Sequence, residues 1–214
     1  DLFNTYLRGL SNAAKLTPQA AVNAEAMLYE MTEYNRTLQW HTKPNSRSYN
    51  QVISAFANTG HAGAGERALN VLRRMQQVHE TEKQSYFQDY GAEYDPTNPT
   101  TNTRRIVTPD AAVYTTTMKA LISRSPEKAI GLLAEAFQAN YFQMDAGMFI
   151  MPIKALATMM DKENNAKRRI QKAKRAEEIL DMMKVLAKDG ALAADTRRDY
   201  FQSPESYLEA GYNA

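Results

Sequence analysis

The sequence predicts an all-α fold, a solenoid of about four antiparallel helix pairs, and three observations predict it. Apolar residues recur with a helical period: in "SYNQVISAFANTG" Tyr49, Val52, Ile53 and Phe56 fall at i, i+3, i+4 and i+7. The same pattern of residues returns along the chain, with turns of varying length. Its edges carry helix punctuation: Thr17-Pro18, Ser125-Pro126 and Ser203-Pro204 each set a capping hydroxyl before a proline at the first helical position, and Gly60 is a stop signal.

The first helix pair is expected near residues 1–44. Phe3-Asn4 opens it, and Leu7, Ala24, Leu28 and Met31 carry its apolar stripes. The second, near 45–79, has Tyr49-Asn50 and Ile53 in one helix. Ala64, Ala68, Val71, Leu72 and Met75 line the other, with Arg67, Arg73 and Arg74 on the outer side. Residues 80–107 interrupt the series. Their front part is acidic and rich in aromatics (Tyr86, Phe87, Tyr90, Tyr94) and their back part is rich in Pro, Thr and Asn, so the segment reads as an irregular insertion. Closely spaced aromatics are good interface anchors, and Tyr86, Phe87, Tyr90 and Tyr94 are candidates for docking a protein partner.

The third pair, near 109–144, repeats Tyr114-Thr115, Met118, Leu121, Ala129 and Leu133. A weaker fourth, near 145–190, keeps Ile153, Ala155, Leu156, Ala176, Leu180 and Met183. A partial helix is expected over 196–214, and the whole of 1–214 reads as one elongated domain. A bundle with loose internal similarity is the competing reading. It is disfavoured because the aromatic-polar pair, the small residue and the closing Met or its substitute recur together.

With these residues in view, "KPNSRSYNQVISAFANTG" followed by "AGERALNVLRRM" resembles the pentatricopeptide repeat. That family's helical hairpins carry Tyr-Asn in the first helix, Ala and Met in the second, and Pro-Asp between repeats. Lys43-Pro44-Asn45 and Thr108-Pro109-Asp110 match the spacer. The resemblance implies an organellar protein that binds single-stranded RNA, one base per repeat. It implies, too, that the polar residue after the aromatic reads the base together with the last residue of its repeat. Asn4 would then act with Asn45, Asn50 with Asp110, and Thr115 with Asp145. The first two would read pyrimidines and the third guanine, while Ile150 in the fourth copy has no hydrogen-bonding group. Arg47, at the second repeat position, is suited to stacking beside a base, and Ala112 is its equivalent. At about 1 to 3 kcal/mol per stacked base, three bases bind weakly once ordering costs are subtracted, so RNA binding is expected inside a larger complex.

Composition narrows the alternatives. Lys and Arg number 26 against 24 Asp and Glu, a net charge of +2, so affinity for RNA must come from local patches. One such patch is "KENNAKRRIQKAKRAEE", where Lys167, Arg168, Arg169, Lys172, Lys174 and Arg175 follow Lys162 along one expected helix. There is no Cys, which excludes thiolate chemistry and disulfides, and no apolar run long enough to span a membrane. The chain lacks an initiating Met and an Arg/Ser-rich leader, so a processed chain is expected; by the resemblance, the missing piece is an organellar transit peptide.

Catalysis has little footing. His41, His61 and His79 are expected at turns and helix ends without metal-ligand spacing, and no metal, cofactor or small-molecule substrate is expected. Trp40 is expected to pack at the junction of the first two pairs. Two functions of different class remain. One is an RNA-binding module of a mitochondrion or plastid; the other is a scaffold or accessory subunit of a large organellar assembly such as a ribosome.

Overall fold

In the computed structural model, residues 2–38, 43–91, 106–139, 142–188 and 190 are described. They form eight helices: α1 (Leu2–Ala13), α2 (Gln19–Leu38), α3 (Ser46–Thr59), α4 (Ala64–Tyr90), α5 (Ala111–Leu121), α6 (Pro126–Ala139), α7 (Ala146–Asp161) and α8 (Ala166–Lys188). The described residues contain no strand. Each helix packs on the next in sequence, and the odd helices α1, α3, α5 and α7 also pack on one another in order. The even helices make no such contacts among themselves. The result is two rows, a continuous odd row and an outer even row seated against it.

Most of the apolar residues matched along the sequence lie in one continuous core. Leu7 and Ile53 are fully buried, as are Ala24 and Ala68, and Leu28, Leu72, Met31 and Met75 are within a hundredth of it. Met118, Leu121, Ala155, Leu156 and Met183 join the same continuous cluster. Burying a Leu or Met side chain of this kind contributes about 1.5 to 3 kcal/mol, and the stripes leave each helix only one way to face.

Helix ends follow local chemistry, with one exchange of partners. Gly60 closes α3 with a left-handed φ of 59°. The carbonyl of Ser125 accepts the Lys128 and Ala129 N–H groups at the start of α6. Its hydroxyl, expected to cap that helix, donates instead to Glu66 Oε1 on α4 at 3.1 Å, joining two hairpins.

The expected insertion at 80–107 is not irregular in its front part: α4 continues to Tyr90. Residues 76–90 contain neither Gly nor Pro, so nothing local stops the helix at Met75. Gly91 does stop it, with φ 64° and its N–H bonded to the Phe87 carbonyl at 2.8 Å. Tyr94, Trp40, His41, Ser203-Pro204 and the partial helix expected at 196–214 lie outside the described residues.

Candidate RNA interface

Three helices of the odd row begin in the same way. Asn45, Asp110 and Asp145 are the N-caps of α3, α5 and α7, with extended φ/ψ of −119/176°, −120/173° and −106/163°. Their side-chain oxygens accept the N–H groups of Ser48 (3.1 Å), Val113 (2.9 Å) and Met148 (3.1 Å). Asn and Asp suit this position because the short side chain satisfies one of the helix's orphan donors. The residues before the caps, Pro44, Pro109 and Met144, are buried. So are Tyr49, Tyr114 and Phe149 four residues into each helix, the spacing at which a hydrophobic staple fixes the entering chain. A Pro-Asx spacer followed by an aromatic is therefore a helix-start device in its own right.

The cap of each odd helix lies beside the polar residue of the preceding one in two cases of three. Ser48 links the first pair. Its hydroxyl is 2.9 Å from Asn4 Oδ1 and 3.2 Å from Asn45 Oδ1, and it accepts the Asn45 N–H at 3.1 Å. In the last pair, the Thr115 hydroxyl meets Asp145 Oδ1 directly at 3.4 Å. A Cβ on Gly147 would come within 3.1 Å of both Asp145 Oδ1 and Thr115 Cγ2. Asn4, Thr115 and Asp145 are buried at these junctions, and the contacts hold one hairpin to the next.

The middle pair is different. No hydrogen bond joins Asn50 to Asp110, and Asn50 Oδ1 is enclosed without a hydrogen-bond partner. Asp110 is exposed, and so is Arg47 one turn before Asn50. Of the three predicted reading positions, this is the one whose polar residue keeps an acceptor without a hydrogen-bond partner and whose closing residue is exposed.

The segment leading into α5 is held by side chains of α4 and by Ser46 at the start of α3. His79 Nδ1 lies 3.0 Å from the Val107 carbonyl, and Glu82 Oε2 accepts the Val107 N–H at 2.8 Å. Ser46 donates to the Thr108 carbonyl at 2.7 Å, and Lys43 pairs with Glu82 at 2.8 Å. His79 was expected at a turn or helix end; it lies inside α4 and is 2% exposed. Its position was readable, because Leu72, Met75, His79 and Tyr86 continue one stripe. Burial pushes its imidazole below the ordinary histidine range, outweighing the bond to Val107.

The remaining candidates are spread over other surfaces. Tyr86 is buried and its ring centroid lies 4.6 Å from that of Tyr90, while Phe87 and Tyr90 are more than half exposed. On α8, Lys167, Arg168, Arg169, Lys174 and Arg175 are exposed. Lys172 pairs with Glu163 at 2.7 Å, and this ammonium, with the Asn165 N–H, holds the Glu163 carboxyl below the usual carboxylate range. Asn165 caps α8 by accepting the Arg168 N–H at 3.2 Å. His61 is exposed, its Nδ1 2.7 Å from the Ala62 carbonyl. Among the described residues no helix is long and apolar enough to cross a membrane. The chain has no match among the family models, the curated proteins or the solved structures compared with it.

Proposed function

We propose that this protein is a helical-repeat RNA-binding module of the pentatricopeptide class, working in an organelle as part of a larger complex. The proposal rests on the four recurring helix pairs and on one observation above others. Arg47, one turn before Asn50, and Asp110 at the start of α5 are exposed, and the enclosed Asn50 Oδ1 has no partner within the protein, so its side chain is held by no hydrogen bond at that atom and must turn outward to meet a base. Asn side chains hydrogen-bond base edges, and a guanidinium stacks on a base face. Asn4, Thr115 and Asp145 spend hydrogen-bonding capacity on hairpin junctions, so in this reading the second repeat carries the selectivity and the other two align it. One base supplies too little affinity alone, which is why partner subunits belong to the proposal.

The test needs a variant that keeps the α5 cap, because Asp110→Ala removes a helix cap as well as a base contact. Asp110→Ser preserves capping. Asn50→Ala combined with Asp110→Ser is expected to weaken binding by roughly 1 to 3 kcal/mol for one base at one position of a short single-stranded RNA. Selection from a random RNA pool with both proteins reads this out. Uniform loss for every sequence, or no loss, refutes it.

A second reading, a scaffold subunit without base selectivity, draws on the exposed Phe87 and Tyr90 at the far end of α4. Under it, Phe87→Ser with Tyr90→Ser releases the chain from its assembly while the RNA variant does nothing.

A further inference from the structure

The even helices leave three gaps along the outer row, and two of them are bridged. Arg67 of α4 pairs with Glu25 of α2 across the first. Across the second, Arg73 of α4 holds Glu135 of α6 through both guanidinium nitrogens, one of them at 2.6 Å, and Lys128 of α6 meets Glu66 of α4 at 2.6 Å. The third gap, between α6 and α8, has no such bridge among the described residues. Yet its α8 wall carries four basic residues, Arg168, Lys172, Lys174 and Arg175.

That gap is a groove of about 570 Å³, within the size range of binding clefts. Ile130 and Gly131 of α6 and Leu156 and Met159 of α7 give it an apolar floor, and Arg168, Lys172 and Arg175 of α8 form one wall. Lys172 is occupied by Glu163, whose carboxylate the Arg168 charge also stabilises; Lys174 and Arg175 make no ion pair among the described residues, and Glu127 and Glu178 line the same groove. Gly131 opens the floor, since a Cβ there would meet nothing within 4 Å. Seven residues on from Ile130 and Arg175, on the same helix faces, Phe137 and Met182 are 36% and 43% exposed.

We infer that this groove is a docking site for an acidic amphipathic helix of a partner protein, whose carboxylates meet Arg168, Lys174 and Arg175 and whose apolar face lies on the floor at Gly131 and Met159. Charge complementarity selects the sign of the partner, and the apolar floor selects peptide over nucleic acid. No aromatic lines the groove for base stacking, and an exposed apolar strip continues from it; Glu127 and Glu178, which also line it, confine the partner's carboxylates to the arginine and lysine positions. A helix laid in a groove between two helices is an established mode of recognition. The site is formed by α6, α7 and α8 and uses none of Arg47, Asn50 and Asp110, so it stands independently of the RNA reading.

The test uses the protein as it is and a labelled synthetic peptide about five helical turns long, with Leu at i, i+3, i+4 and i+7 flanked by Glu. Fluorescence anisotropy is expected to detect binding, and amide shifts are expected to map to α6, α7 and the first half of α8. Arg168→Glu with Arg175→Glu is expected to weaken it about tenfold or more. Gly131→Leu is expected to block it by filling the floor while strengthening α6, because Gly is a poor helix former. Absence of binding overturns the proposal. So does equal binding by a peptide with its Leu residues changed to Ser, because charge alone then explains the attraction. Stronger protection of the groove by a single-stranded RNA homopolymer, or by a second copy of this chain, overturns it in favour of that occupant.

Discussion

At the scale of single residues, His79 is where burial and charge meet. It sits in the α4 stripe with one ring nitrogen committed to the Val107 carbonyl, and its surroundings favour the neutral ring. The unfolded chain binds a proton at the ordinary histidine pKa, about 6.5, more readily than the folded chain does. The stability this confers is therefore complete above about pH 6.5 and is lost as the pH falls through the lower folded value. Urea unfolding of wild type and His79→Gln, from neutral pH down to about 5, is expected to show a shallower decline in the variant. Parallel curves would mean that His79 does not titrate with folding. Legibility at this scale was uneven. The positions of Asn45, Asp110 and Asp145 stood out in the sequence as repeat-closing residues, while their capping bonds and the Ser48 link did not, because a cap is recognised only once the helix start is known.

At the scale of elements, α4 joins the two halves of the protein. Its first turn touches α5 so closely that a Cβ at Gly65 would lie 2.8 Å from the Ala120 carbonyl oxygen and 3.2 Å from Leu121 Cδ2. Backbone does not yield cheaply. Gly65→Ala is expected to lose roughly 1 to 3 kcal/mol despite the better helix propensity of Ala, as overpacking does, whereas Gly9→Ala on the open side of α1 is expected to be neutral or stabilising. Chemical denaturation of the two variants separates contact from propensity. The far end of the same helix was misjudged from sequence. Acidic and aromatic composition suggested a loop at 80–90, but such residues form a helix when neither Gly nor Pro intervenes and when His79 and Glu82 have a returning chain to hold.

At the scale of the whole molecule, stability is distributed by neighbours. α3 packs on α1, α2, α4 and α5, and α5 on α3, α4, α6 and α7; α8 packs on α7 alone. Amide exchange is therefore expected to be slowest in α3 and α5 and fastest in α8, whose buried residues are confined to Ile179, Leu180 and Met183. Uniform protection along the chain would mean that the helices open together rather than from the end. The ion pairs of the outer row change this ranking little, because both members of Arg73–Glu135 are more than a third exposed and such pairs contribute about 0 to 1 kcal/mol.

The sequence by itself determined the helical class and most of the residues that face the core. Each rests on a period of 3.6 residues and on cap and stop chemistry confined to one turn of chain. Which polar residues remain free, and which gap in the outer row stays open, only the tertiary structure decided. Asn4 and Asn50 look equivalent in the sequence, yet Asn4 meets Ser48, which lies 44 residues away, while Asn50 Oδ1 meets nothing. Arg73 and Arg175 are likewise both arginines on outer helices, but a carboxylate is within reach of the first and no ion-pair partner among the described residues meets the second. Hydrogen bonds and ion pairs act over a few ångströms in space, and separation along the chain does not reveal which groups will come that close.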